Sequence, residues 1–207
     1  MASAVIHICV AKKVNEYSKF REKELFLGTI APDISKEINQ TKVKSHFLSN
    51  IEDVPDINLF LHKYKNKLKT PFDYGYFIHL YTDKLWYSNL MTDIVGKTGS
   101  ALLKDKGLKN DKEAARDLFY NDYTNMNIKL IDKYNLDLTL FYEDFEIPNT
   151  CIEEVPVKKL DILIDKMGII IANSHNRRNR VLDYNKVITF IDDTASEIIK
   201  YLKDNNL

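Results

Sequence analysis

Apolar residues along this chain recur mostly at spacings of three and four, and only six glycines and five prolines among 207 residues interrupt them. With 3.6 residues per turn, a helix gathers such residues onto one face, whereas a strand requires alternation. The chain is therefore expected to be all-α. It is long enough to bury a core without cross-links, and no linker, repeat or low-complexity tract divides it. One domain spanning residues 1–207 is expected.

The periodicity predicts a first helix from Ser3 to Tyr17, with His7, Val10, Ala11 and Val14 inward and Lys12, Lys13 and Glu16 outward. A second runs from Phe20 to Ile30 and stops near Pro32, because a proline pushes the preceding residue out of helical geometry. The polar stretch Ser35 to Asp53, which carries His46, is expected to be a long irregular loop. Further helices are expected over Ile57 to Leu68, Pro71 to Met91, Asp111 to Tyr134, Val157 to Ala172 and Asn185 to Lys203. Gly96, Gly99 and Gly107 mark a second, mobile connection between Thr92 and Asn110.

Thirty acidic and thirty basic residues balance, so no global field draws the chain to nucleic acid, which is not expected as a partner. The two cysteines, Cys9 and Cys151, read as reduced residues of a reducing compartment. The opening MASAVIHICVAKKVNEY lacks a basic n-region, and its apolar run is cut by His7, Lys12 and Lys13. It resembles neither signal peptide nor membrane anchor, so a cytoplasmic location is expected.

The segment from Pro71 to Met91 is the most informative. On a helix, Phe72, Tyr76, His79, Leu80, Asp83, Trp86, Tyr87 and Leu90 share one broad face, which places Asp83 on a buried aromatic stripe. An unpaired carboxylate there would cost several kcal/mol, so a cation belongs beside it. His79, one turn earlier, is placed to share a metal ion with it. A His–Asp hydrogen bond, or pairing of Asp83 with arginine or lysine, satisfies the same pattern. His7 on an inward face reads either as a hydrogen-bonded core histidine or as a ligand. Asp33, after Ala31-Pro32, reads as a turn residue or a ligand, and His46 as a surface histidine or a ligand. Together these residues supply nitrogen and oxygen donors from separate segments, as a metal site inside a helical bundle requires.

The ordered set of His7, Ala31-Pro32-Asp33, Ser45-His46-Phe47 and His79-Leu80-Tyr81-Thr82-Asp83 resembles the bacterial zinc-dependent phospholipase C family, whose all-helical fold is shared with zinc-dependent single-strand nucleases. The resemblance covers about the first ninety residues. It implies ligation by His7, Asp33, His46, His79 and Asp83, with Asp83 able to bridge two ions. The chain departs from the family in two respects. The secreted phospholipases ligate through a processed N-terminal tryptophan, where this chain starts with Met1. Their histidine six residues beyond the aspartate is replaced by Asn89, and no later His-x-x-x-Glu follows. One or two ions are therefore expected rather than three, with Asp122 a candidate extra donor. Zinc is the ion the resemblance implies, although the donor set also accepts manganese or iron.

The expected chemistry is metal-activated water attacking a phosphoric ester, with Asp33 or Asp83 orienting that water as a general base. The substrate would be a small-molecule phosphoester, lipid or soluble, and no protein partner is legible. Arg177 and Arg178, in a basic cluster after His175, are either solvated at a helix C-terminus or a grip on substrate phosphate. His62, among lysines, reads as surface. An HD-type phosphohydrolase would carry a contiguous His-Asp pair, which this sequence lacks. A helical interaction protein keeping a structural metal is the alternative outside enzymology.

Overall fold

The computed structural model describes residues 1–51, 53–92 and 112–207. The regular elements among the described residues are all helical, with no strand. In chain order the elements are α1 (Ala4–Ser18) and α2 (Glu22–Ile30), the latter passing through a 3-10 turn at Ala31–Asp33 into α3 (Ile34–Glu37). There follow α4 (Lys42–Ser45), α5 (Ile57–Tyr64), α6 (Pro71–Leu85), α7 (Lys112–Lys133), α8 (Asp161–Ala172) and α9 (Tyr184–Asp204). None of the described helices is long and apolar enough to cross a membrane.

The long helices lie where the periodicity places them, and the differences have local causes. The second begins at Glu22 rather than Phe20 because Lys19 adopts φ 59° and the Asn15 side chain bonds both the carbonyl and the N–H of Phe20. The third ends at Tyr64, after which the chain turns with the N–H groups of Lys67 and Leu68 on the Tyr64 carbonyl. The stretch expected to be an irregular loop instead holds α3 and α4. Four-residue helices are too short to display a period. The glycine-marked connection lies outside the described residues.

The centre of the fold is α6, buried on nearly every side. Pro71 starts it in geometry suited to a first turn, and Thr70 and Asp73 form a reciprocal capping box. Asp73 also receives the Thr150 hydroxyl at 2.5 Å and the Cys151 N–H at 3.3 Å, which ties a distant loop to the start of the helix. Beyond Leu85 the helix widens into a π turn, Trp86–Met91.

Against α6 packs α2, closer than ordinary side chains permit. A Cβ at Gly75 would lie 2.1 Å from the Leu25 carbonyl oxygen, and one at Gly28 would lie 2.1 Å from that of Phe72. Glycine at both points lets the backbones touch. The amphipathic α9 covers α1, and its Asp183 caps it by accepting the Lys186 N–H at 3.0 Å.

Candidate metal centre

Five side chains separated in sequence meet at one end of the α2–α6 crossing. α1 contributes His7, the 3-10 turn Asp33, the residue closing α4 His46, and α6 both His79 and Asp83. His7 and His79 are 0% exposed and His46 and Asp83 1%, whereas the Asp33 side chain is 18% exposed although its Oδ1 is buried, so the cluster lies nearest to solvent at Asp33.

The crossing sets His79. With α2 pressed onto α6, the Thr29 carbonyl lies 2.7 Å from His79 Nδ1 and takes its N–H. Burial, with the neighbouring His7, holds His79 well below the ordinary imidazole range, so it is neutral and its Nε2 presents a lone pair. His46 is fixed from the opposite side. Its Nδ1 is 3.0 Å from Ser45 Oγ, which receives the Ser35 hydroxyl at 2.6 Å and faces the Lys42 carbonyl at 3.4 Å. With Ser35 donating to Ser45 and Ser45 to Lys42, the remaining role for His46 Nδ1 is that of donor. That assignment turns a second Nε2 lone pair inward. The Tyr76 hydroxyl on the Ser45 carbonyl and the left-handed Phe47 (φ 53°), buried against Phe60 and Tyr64, hold this segment in place.

The two Nε2 atoms face each other at 3.2 Å. Lone pairs at that separation repel unless a proton or a metal cation lies beside them. Donor atoms bound to one tetrahedral zinc at ~2.0–2.1 Å stand roughly 3.3–3.4 Å apart. The separations here straddle that value: His46 Nε2 lies 3.7 Å from Asp33 Oδ1 and 3.8 Å from Asp83 Oδ2, and His79 Nε2 lies 3.7 Å from Asp83 Oδ2. The other carboxylate oxygen, Asp83 Oδ1, lies 3.3 Å from His7 Nε2 and accepts the Ala2 N–H at 2.9 Å. Asp83 thus turns one oxygen to the His46/His79 side and the other to His7, as a bridging carboxylate would. Two overlapping triads, His7/His79/Asp83 and Asp33/His46/His79, bring one donor atom each within 4.8 Å of one another.

Several of these atoms lack a hydrogen-bond partner although buried: His7 Nε2, Asp83 Oδ2 and Asp33 Oδ1. Lys36 Nζ does lie 2.9 Å from Asp33 Oδ1, an electrostatic contact outside hydrogen-bond geometry. Buried polar atoms are nearly always satisfied, so orphaned atoms on both sides of the Asp83 carboxylate fit one or more bound cations. Burial alone would raise both carboxylates. For Asp83 the opposing influence is mainly His7, for Asp33 mainly Lys36, and both end well below the usual carboxylate range. The cluster can hold a metal ion, and mixed imidazole and carboxylate donors suit zinc, manganese or iron.

The remaining candidates fare differently. Asp122 joins neither triad. Its carboxylate accepts the N–H groups of Arg180, Val181 and Leu182 at 2.6–2.8 Å, so this buried aspartate, a candidate extra donor, anchors a loop instead. Arg177 and Arg178 lie exposed on that loop, and among the described residues neither contacts the cluster. His62 is exposed, as expected. Sequence reasoning missed the Thr29 carbonyl and the Ser35–Ser45 pair, and Lys36 and Lys42 at the open edge. Only Ser45, next to His46, carried any signal. Comparison with protein-family models, curated proteins and solved structures returns no match.

Proposed function

We propose that this chain is a metal-dependent hydrolase of phosphoric esters on an all-helical scaffold of the zinc-dependent phospholipase C type, with zinc as its resident ion. The observation that supports this most is the pair of inward-facing Nε2 atoms at 3.2 Å, ringed by orphaned carboxylate oxygens. His46, His79, Asp33 and Asp83 would hold the principal ion, with His7 on the far oxygen of Asp83. A divalent ion in that set supplies a Lewis acid and lowers the pKa of water toward neutrality. Thr29 and the Ser45–Ser35 relay orient the two imidazoles, an outer layer on which affinity for metal depends. Asp33, the most exposed of the donor side chains, would orient water toward a small-molecule phosphoester substrate.

The burial of the other four donors favours a second reading, a closed structural metal site in a helical interaction protein. Metal analysis of the purified protein, with assays on phosphomonoesters and phosphodiesters, separates the two. Stoichiometric zinc with turnover that vanishes in Asp83→Asn supports the hydrolase. Stoichiometric metal without turnover selects the structural reading, and absence of metal overturns both.

A further inference from the structure

The edge of the cluster nearest to solvent is flanked by two ammonium groups. Lys36, one turn beyond Asp33, sets its Nζ 2.9 Å from Asp33 Oδ1. Lys42 opens the short α4 that His46 closes. It is half-buried, stands 5.6 Å from the centroid of the Tyr87 ring and lies within electrostatic reach of Asp83, Asp33 and Lys36. Lys36 therefore meets the cluster at Asp33, and Lys42 stands beside it at Tyr87, within electrostatic reach of both carboxylates.

Charge arithmetic says what they are for. Without an ion, the carboxylates of Asp33 and Asp83 balance the ammonium groups of Lys36 and Lys42, so the side-chain charge at the site is zero. Ligating imidazoles are neutral. One divalent ion then leaves the site with two uncompensated positive charges, a surplus at its edge that an anion would balance. We propose that Lys36 and Lys42 form an anion subsite at the open edge of the metal centre, and that its ligand is a phosphate dianion, either a terminal phosphomonoester group or free phosphate. This rests on the metal-dependent reading above and narrows it. A phosphodiester, carrying one negative charge, leaves the balance unfilled.

The test uses the whole chain loaded with zinc, titrated with inorganic phosphate in a calorimeter, with zinc content measured on every sample. Hydrogen bonds to charged groups contribute about 1.5–3 kcal/mol, so Lys36→Gln and Lys42→Gln should each weaken phosphate binding by ~10-fold or more. Lys36→Arg and Lys42→Arg should retain most of the affinity, and zinc stoichiometry should stay at the wild-type value in all four. Dimethyl phosphate, the monoanionic control, should bind at least ~10-fold more weakly than phosphate to the wild type. Zinc-loaded wild type that ignores phosphate, or glutamine variants that bind it undiminished, overturns the subsite and leaves the metal reading standing. Failure to bind zinc overturns both.

Discussion

Without a bound ion, Asp83 Oδ2 is buried with no hydrogen-bond partner, while Asp33 Oδ1 keeps its ion pair with Lys36 and His7 Nε2 lies 3.3 Å from Asp83 Oδ1. An unsatisfied buried polar atom costs about 1–3 kcal/mol. Mass action gives a similar value, about 2.7 kcal/mol for an ion at a hundred times its Kd. For a chain of this size each kcal/mol moves Tm by roughly 2–4 °C, so zinc reconstitution should raise Tm by about 5–11 °C over the chelated protein. The assay is thermal unfolding followed by circular dichroism, before and after chelation, with the metal content of both samples measured. Zinc added back after chelator removal should restore the original Tm. Equal melting temperatures for verified metal-free and metal-loaded protein would refute the assignment, and the orphaned Asp83 oxygen would then need another partner.

The crossing of α2 and α6 makes Gly75→Ala a test of how the site is built. The added Cβ would meet the Leu25 carbonyl at 2.1 Å, and relieving it should cost about 3 kcal/mol or more in denaturant unfolding, with weaker zinc binding because Thr29 is drawn off His79. His7→Ala removes one donor beside the far oxygen of Asp83 and should lower metal content and activity only in part, whereas His62→Ala should change neither; metal analysis and turnover read both. Acid should weaken the metal-free fold: burial, with His7, keeps His79 neutral well below the ordinary range, while the unfolded chain takes up its proton near pH ~6.5. Below that pH the unfolded state binds more protons, so stability present above pH ~6.5 should fall by up to about 1.4 kcal/mol per pH unit until the folded-state pKa is reached. Denaturant midpoints of chelated protein between pH 5 and pH 8 read the slope, and a flat profile would count against a neutral His79.

What the sequence made legible was carried by local repetition. His79 and Asp83 stand one turn apart on an aromatic stripe, so their shared face and their need for a cation follow from helix geometry alone. His7 was legible as inward-facing for the same reason. Asp33 and His46 sit in elements of three and four residues, where no period develops, and only their motif context pointed to the cluster. The parts that orient the ligands left little trace. The Thr29 carbonyl has no side-chain signature, and the Ser35–Ser45 bond joins two turns that the polar composition disguised as loop. Asp122 misled because a buried aspartate among tyrosines looks like a donor whether it meets a metal or, as here, three backbone N–H groups.

The sealed geometry of the cluster also governs time. Four of the five donors are at most 1% exposed, and the fifth opens to solvent beside Lys36. An ion held there cannot be stripped by a chelator reaching in, because a chelator needs several coordination positions at once. Its release would require the short α3–α4 segment, which Asp33 and His46 flank, to open. Opening of that segment, rather than the strength of the metal bonds, then sets the pace of exchange. The loss of zinc to excess chelator should accordingly reach a rate that more chelator does not increase. A mild denaturant that loosens the segment should speed it, and the protein would keep its ion through encounters with competitors that bind zinc more tightly.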